Sequence, residues 1–279
     1  MTRIGLIQLN SSDTPRDNLD TMLTGVQDAA AKGAEFILTP EVSNCLSVSR
    51  SHQQKVLALE EEDETLPSLC EAAKAQGVWL LLGSFGVKTK DADGRFANRS
   101  LMISPAGDIV ARYDKIHMFD VQVTATETFR ESEGYRPGSD TLVVQTDFAK
   151  IGMTICYDVR FAHLYRALAQ AGAEIITVPA AFSPVTGDAH WHVLLRARAI
   201  ETGCFIIAPA QTGQHNGRST FGHSLIVAPW GEILLDMGTE PSVACVDIDL
   251  DEVRKARQRV PSLSHDRSFR SPILRGDER

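Results

Sequence analysis

The sequence contains no apolar run of the roughly 18–20 residues that a bilayer-spanning helix needs. Its N-terminal stretch, MTRIGLIQLNSSDTPRD, has no apolar segment followed by a small-residue cleavage site, which argues against a secretory leader. There is no C-x-x-C. The five cysteines (Cys45, Cys70, Cys156, Cys204, Cys245) are odd in number and widely scattered, so a disulfide framework and a structural zinc are both poor readings. Positive charge is not in excess: 28 Lys and Arg against 36 Asp and Glu give a formal charge of −8, with the basic residues dispersed, so no nucleic-acid footprint is expected. No G-x-S-x-G, G-x-G-x-x-G or Walker pattern occurs. No Pro/Gly/Ser linker, repeat or charge block divides the 279 residues, which points to one domain, 1–279, with a large core. These absences leave an acidic, cytoplasmic, globular chain.

Hydrophobic periodicity then supplies the elements. Ile4, Leu6 and Gln8 alternate with Gly5, Ile7 and Leu9 in a mostly apolar run, as in a strand buried on both faces. Thr14-Pro15 reads as the start of a helix that carries Leu19, Met22, Leu23, Val26 and Ala30 and stops at Gly33. Strands are expected at Phe36–Leu38, Val78–Leu82, Phe96–Ser104, Ile109–Tyr113, Thr141–Gln145, Lys150–Ile155, Glu174–Val178, Phe205–Ala208, Ser224–Val227, Ile233–Leu235 and Val243–Ile248. Helical spacing covers Leu66–Gln76, Phe161–Ala171, Ala189–Glu201 and Asp251–Arg259, and the polar stretches Glu60–Glu64 and Thr124–Arg136 read as surface loops or helix edges. Interleaved helices and strands make this an α/β protein of packed layers.

Three polar residues share one kind of position, the exit of a strand: Glu41, Lys115 and Cys156. Ligands of α/β sheets bind at the carboxyl ends of strands, so the three could face one pocket. Cys156, at a strand-to-helix junction, is a nucleophile candidate whose thiolate a helix N-terminus would favour, with the Tyr157 N–H as an oxyanion donor. The plain alternative is a small buried hydrophobe. Burial would raise the pKa of Glu41 and make it a general base; otherwise it is a solvated or ion-paired carboxylate. Lys115 could stabilise a developing oxyanion, or be a surface lysine.

The context of these residues is more specific. Thr39-Pro40-Glu41, Tyr113-Asp114-Lys115-Ile116-His117 and Gly152-Met153-Thr154-Ile155-Cys156-Tyr157-Asp158-Val159-Arg160-Phe161 closely resemble, in order, the three signature segments of the nitrilase superfamily of carbon–nitrogen hydrolases. Ala189-His190-Trp191, Leu195–Glu201, Gly222-His223-Ser224 and Pro229-Trp230-Gly231-Glu232 extend the resemblance over almost the whole chain. It implies a four-layer αββα sandwich. It also implies a triad of Glu41 as base, Lys115 as cation and Cys156 as nucleophile, with Glu131 orienting Lys115 or the substrate. The segments around Phe182–Gly187 and Ala210–His215 resemble the Nit branch, which includes amidases of deaminated glutathione and of α-keto acid ω-amides such as 2-oxoglutaramate. That likeness implies amide hydrolysis to acid and ammonia through a thioester. Arg160, Phe182 and Thr186, beside Tyr157, would bind the acid end of a small-molecule amide. Neither metal nor organic cofactor is implied, and the expected partner is a second copy or more of the same chain, with the polar, extended tail Arg257–Arg279 lying across a neighbour. The sequence departs from the family's frequent Arg-Phe-Pro-Glu at Ala162-His163, and it has His192 where Glu is frequent.

Other readings carry less. A Cys-His protease pairing Cys156 with His117 matches no local signature. His190-x-His192 could be a metal pair, but no carboxylate or third histidine sits at ligand spacing in the sequence. Thr2 as an N-terminal nucleophile would lie at the edge of an apolar strand. A non-catalytic binding protein on the same fold conflicts with an intact Glu41, Lys115 and Cys156.

Overall fold

The computed structural model describes residues 1–125 and 127–273. The first half runs β1 (Thr2–Gln8), α1 (Pro15–Ala31), β2 (Phe36–Leu38), α2 (Arg50–Val56), α3 (Leu66–Gln76), β3 (Trp79–Val87), β4 (Ala97–Ile103) and β5 (Ile109–Asp114). A small hairpin of β6 (Asp120–Gln122) and β7 (Thr128–Arg130) leads into the single turn α4 (Glu131–Gly134). The second half runs β8 (Val143–Gln145), β9 (Lys150–Met153), α5 (Ala162–Gln170), β10 (Ile175–Thr177), α6 (Pro184–Thr202), β11 (Phe205–Ala208), the hairpin β12 (Thr212–His215) and β13 (Arg218–Phe221), then β14 (Leu225–Val227), β15 (Ile233–Asp236), β16 (Ser242–Ile248) and α7 (Asp251–Arg259).

Two six-stranded sheets result, ordered β16-β1-β2-β3-β4-β5 and β15-β14-β11-β10-β9-β8. Each has three parallel strands at its centre and antiparallel strands at its edges. Period-two alternation decides which face packs where. Ile4, Leu6, Phe36, Leu38, Leu81 and Met102 join one buried cluster with Ile151, Met153, Ile175, Ile206 and Val227 of the other sheet. Their neighbours Ile7, Ile37, Leu80, Leu82, Leu101 and Ile103 point the other way and bury Leu19, Met22, Val26, Leu66 and Leu69 of α1 and α3. On the second sheet, helices α5 and α6 supply Leu164, Leu168, Trp191 and Leu195 to the shared core. This is the four-layer αββα sandwich. Close approach of the layers needs small residues: a side chain at Gly25 of α1 would meet Ile7 at 2.9 Å.

Some boundaries differ from expectation. Helix α6 starts at Pro184, five residues before Ala189, because Ser183 caps it and accepts the Thr186 N–H at 3.4 Å, with Pro184 in the first turn. The stretch Thr124–Arg136, read as a surface loop or helix edge, holds the helical turn α4 and also the strand β7, which was not expected. The tail is not wholly extended. Helix α7 reaches Arg259, a further turn covers Ser262–Ser264, and Asp266 accepts from Arg166 of α5 at 3.0 Å. Residues 274–279 of that tail lie outside the described residues. Among the described residues no helix is long and apolar enough to cross a membrane.

Candidate active site

Glu41, Lys115 and Cys156 converge. The short strand β2 ends at Leu38, and Thr39-Pro40 then carry Glu41 into the gap between the sheets at 4% exposure. Strand β5 ends at Asp114 and delivers Lys115, whose N–H bonds the Asn98 carbonyl of β4 at 2.9 Å. Cys156 follows β9 and Ile155, and its N–H donates to the Pro179 carbonyl beyond β10 at 2.9 Å. Its φ of 48° is a left-handed value that non-glycine residues rarely adopt, so the thiol is held on a strained turn.

Lys115 is 2% exposed, and such an ammonium must be paired. Its Nζ donates to Glu41 Oε1 at 2.9 Å and to both Glu131 oxygens at 2.9 Å. Glu131 is further fixed by the Phe119 N–H at 2.6 Å. The Ala181 N–H donates to Glu41 Oε2 at 2.8 Å, and the Cys156 thiol lies close enough to the same carboxylate for each to shift the other's protonation. One buried cation thus faces two carboxylates, with the thiol beside them.

The electrostatics differ from the expectation in two respects. Desolvation pulls the Glu41 carboxyl upward, but Lys115, the thiol and Asn98 outweigh it and hold the group below its ordinary value. Cys156 does not open an α-helix; it opens a five-residue 3-10 turn, Cys156–Arg160. Desolvation and the Glu41 charge push its thiol well above the ordinary value despite Lys115. Lys115 is raised well above its own ordinary value: burial opposes the charge, but Glu131 and Glu41 prevail. The resting site is therefore a neutral thiol next to an ionised carboxylate. Burial also pushes the Cys45 thiol up, to about 12, with Asp13 adding to it. A high thiol pKa is thus not distinctive; the adjacent carboxylate is.

Sequence reasoning missed several residues that build this centre. Asn98 Nδ2 donates to Glu41 Oε1 at 2.9 Å and to Glu131 Oε1 at 3.3 Å, while its buried Oδ1 has no partner among the described residues. Asn98, Ser100 and Met102 share the inward parity of β4, so a polar residue at that register was the available signal. Asp158, fully buried, accepts from Tyr113 Oη (2.6 Å), the Ile155 N–H (2.9 Å) and the His117 N–H (3.1 Å), and pairs with His117 Nδ1 (2.7 Å). It clamps the cysteine turn to the lysine strand. His117 therefore serves Asp158, stacked on Phe161 with ring centroids 3.4 Å apart. Gln211 Nε2 donates to the Glu41 carbonyl at 3.0 Å.

The other predicted residues lie around Cys156 and the start of α6. The Arg160 guanidinium sits 5.7 Å from the Tyr157 ring and 5.6 Å from the Phe182 ring, and it faces His190 Nδ1 at 3.3 Å. Among the described residues no carboxylate is within ion-pair distance of it. Phe182 is buried against Trp191 at 4.7 Å. Thr186 sits in the first turn of α6 with its hydroxyl 3.2 Å from that of Ser183. Arg218, also unanticipated, donates to the Ala181 carbonyl at 2.6 Å.

A model of the carbon–nitrogen hydrolase family matches residues 3–258. The chain belongs to the carbon–nitrogen hydrolase family. A deaminated glutathione amidase of Yersinia enterocolitica is 38% identical over 275 residues, 98% of this chain and 95% of that protein. Among solved structures, the Caenorhabditis elegans NitFhit protein superposes with a TM-score of 0.89 at 32% identity, over 95% of this hydrolase chain and 65% of its own. An amidase from Nesterenkonia sp. AN1, described with acrylamide added to its active-site cysteine, gives 0.76 at 25% identity over 94% and 98% of the two chains.

Proposed function

We propose that this hydrolase cleaves a carboxylate-bearing small-molecule amide through a thioester on Cys156, with deaminated glutathione as substrate and an α-keto acid ω-amide as the second candidate. The observation that carries the reading is the buried Lys115 ammonium held between the Glu41 and Glu131 carboxylates, with the Cys156 thiol close enough to feel the Glu41 charge. Glu41 accepts the thiol proton as Sγ bonds to the amide carbonyl carbon. Lys115 and the Tyr157 N–H stabilise the oxyanion. Collapse breaks the C–N bond, and the proton held by Glu41 passes to the departing nitrogen. Glu41 then takes a proton from water, whose oxygen attacks the thioester; the acid leaves and the thiol re-forms. Glu131 and Asn98 hold Lys115 and Glu41 in register. No step calls on a metal or organic cofactor.

A guanidinium over the Tyr157 and Phe182 rings, with no carboxylate partner among the described residues, suits Arg160 to the acid end of the substrate, and Phe182 and Thr186 would complete that subsite. The name of the Yersinia relative supports deaminated glutathione. Its scissile amide is secondary, so an amine leaves, whereas a primary ω-amide releases ammonia. Assays of purified protein should follow both products over deaminated glutathione, α-keto ω-amides and nitriles. The expected order of kcat/KM is as written; a preference for nitriles would overturn the reading.

Five unpaired cysteines favour a cytoplasmic location. Ile200, Trp230 and Val260 are exposed around an apolar groove of about 550 Å³, which favours a homodimer or larger assembly.

A further inference from the structure

Away from the buried centre, the fold assembles three metal-ligating side chains that lie far apart in sequence. His192 is on α6, His223 lies between β13 and β14, and Asp236 ends β15. Their ligand atoms all fall within 4.8 Å of one another. His192 Nε2 is 3.0 Å from Asp236 Oδ2, and His223 Nδ1 is 2.8 Å from Asp236 Oδ1. His190-x-His192 lacks a third ligand along the chain, and the structure separates the pair's roles: His190 faces Arg160, while His192 gains a histidine and a carboxylate from other elements.

The cluster is held in place. His223 has a φ of 55°, a left-handed value that a bulky residue keeps only where its surroundings impose it. Its N–H donates to the Gly238 carbonyl at 2.6 Å, and its carbonyl accepts from Trp191 Nε1 at 2.8 Å, one residue before His192. The Gly238 N–H orients Asp236 at 3.0 Å, and Phe221 stacks on the His223 ring at 4.5 Å.

We propose that His192, His223 and Asp236 bind a divalent transition-metal ion of the zinc class. Two imidazoles and a carboxylate are ligands that Zn²⁺ and its late first-row neighbours accept, and three protein ligands leave a fourth position for water. Metal–ligand bonds of about 2.0–2.2 Å place tetrahedral ligands about 3.3–3.6 Å apart, so the two short contacts to Asp236 open by roughly half an ångström on binding. All three side chains are partly exposed, which gives the ion a path in. The bound ion would tie α6 to the β13–β14 connection and to β15, a cross-link outside the hydrolytic centre.

The test titrates Co²⁺ and then Zn²⁺ into Cys156→Ala protein, so that the catalytic thiol cannot compete. One equivalent of Co²⁺, with a visible d–d band lacking thiolate charge transfer and displaced by Zn²⁺, is the expected result. Asp236→Asn and His192→Gln in the same background should each weaken binding by at least about a hundredfold. Independently, Zn²⁺-soaked crystals of the unmutated protein should show an anomalous peak among the three side chains. The proposal is overturned by absence of saturable binding, by one-equivalent binding unchanged in both variants, or by an anomalous peak only elsewhere.

Discussion

At Glu41 a single carboxylate does two things that pull in opposite directions. It raises the Cys156 thiol, keeping it protonated at rest, and it is the base that removes that proton. Glu41→Gln separates the two. Turnover should fall about 10²–10⁴-fold with the loss of the base. The thiol, freed of a neighbouring negative charge but still beside Lys115, should ionise more readily, so its alkylation midpoint shifts to lower pH. An unchanged midpoint measured by iodoacetamide kinetics would contradict this electrostatic account. Asn98 spans both carboxylates, and its truncation removes hydrogen bonds to charged acceptors worth about 1.5–3 kcal/mol each. Asn98→Ala should therefore lower kcat roughly 10–100-fold, with a smaller change in KM, in steady-state assays. Strand exits alone put Glu41, Lys115 and Cys156 at one pocket as candidates, each with a plain alternative; the family resemblance made them a triad. Asn98 escaped because the reading treated its strand as core and passed over polarity at an inward position.

The elements around the site are fitted closely. Strand β3 passes so near the Glu41 loop that a side chain at Gly83 would lie 1.9 Å from the Thr39 carbonyl oxygen and 2.5 Å from the Pro179 side chain. Gly83→Ala should cost about 3 kcal/mol, and about 6–12 °C of Tm by calorimetry, while displacing both Glu41 and the Pro179 carbonyl that holds Cys156. Asp158 ties the cysteine turn to β5 through a carboxylate with no exposure. Asp158→Ala leaves the Tyr113 hydroxyl and two N–H groups without an acceptor. An expected loss of about 3–5 kcal/mol is measurable by denaturant unfolding, and a near-neutral variant would refute the clamp. Long periodic elements such as α1 and α3 were legible in the sequence, as was the hairpin of β4 and β5. The hairpins β6–β7 and β12–β13 were not: their three- and four-residue strands are largely polar and pair chiefly with each other, which leaves no apolar alternation to read.

Across the molecule, periodicity gave interleaved helices and strands in packed layers and the family resemblance gave the four-layer sandwich, whereas the meeting of His192, His223 and Asp236 depends on a helix, a connection and a strand end that no periodicity relates. The charges of the centre also set its pH limits. Glu41 is lowered in the fold from 4.5, so its contribution to stability is complete above that pH and is lost as pH falls through the lower folded value. Lys115 is raised from 10.5, so its contribution is complete below that pH and is lost as pH rises through the higher folded value. The site's contribution to Tm should thus stay level across neutral pH; a neutral-pH step in Tm that Lys115→Met removes would contradict the assignment. Sedimentation at micromolar concentration should show a dimer or larger species, and a monomer would remove that part of the proposal. The most direct test of the whole account is intact-mass spectrometry with peptide mapping of wild-type protein quenched during turnover of an amide. A mass gain equal to the substrate's acyl group on the Cys156 peptide alone is the expected result. Turnover with no adduct, or an adduct on Cys45, Cys70, Cys204 or Cys245, would contradict it.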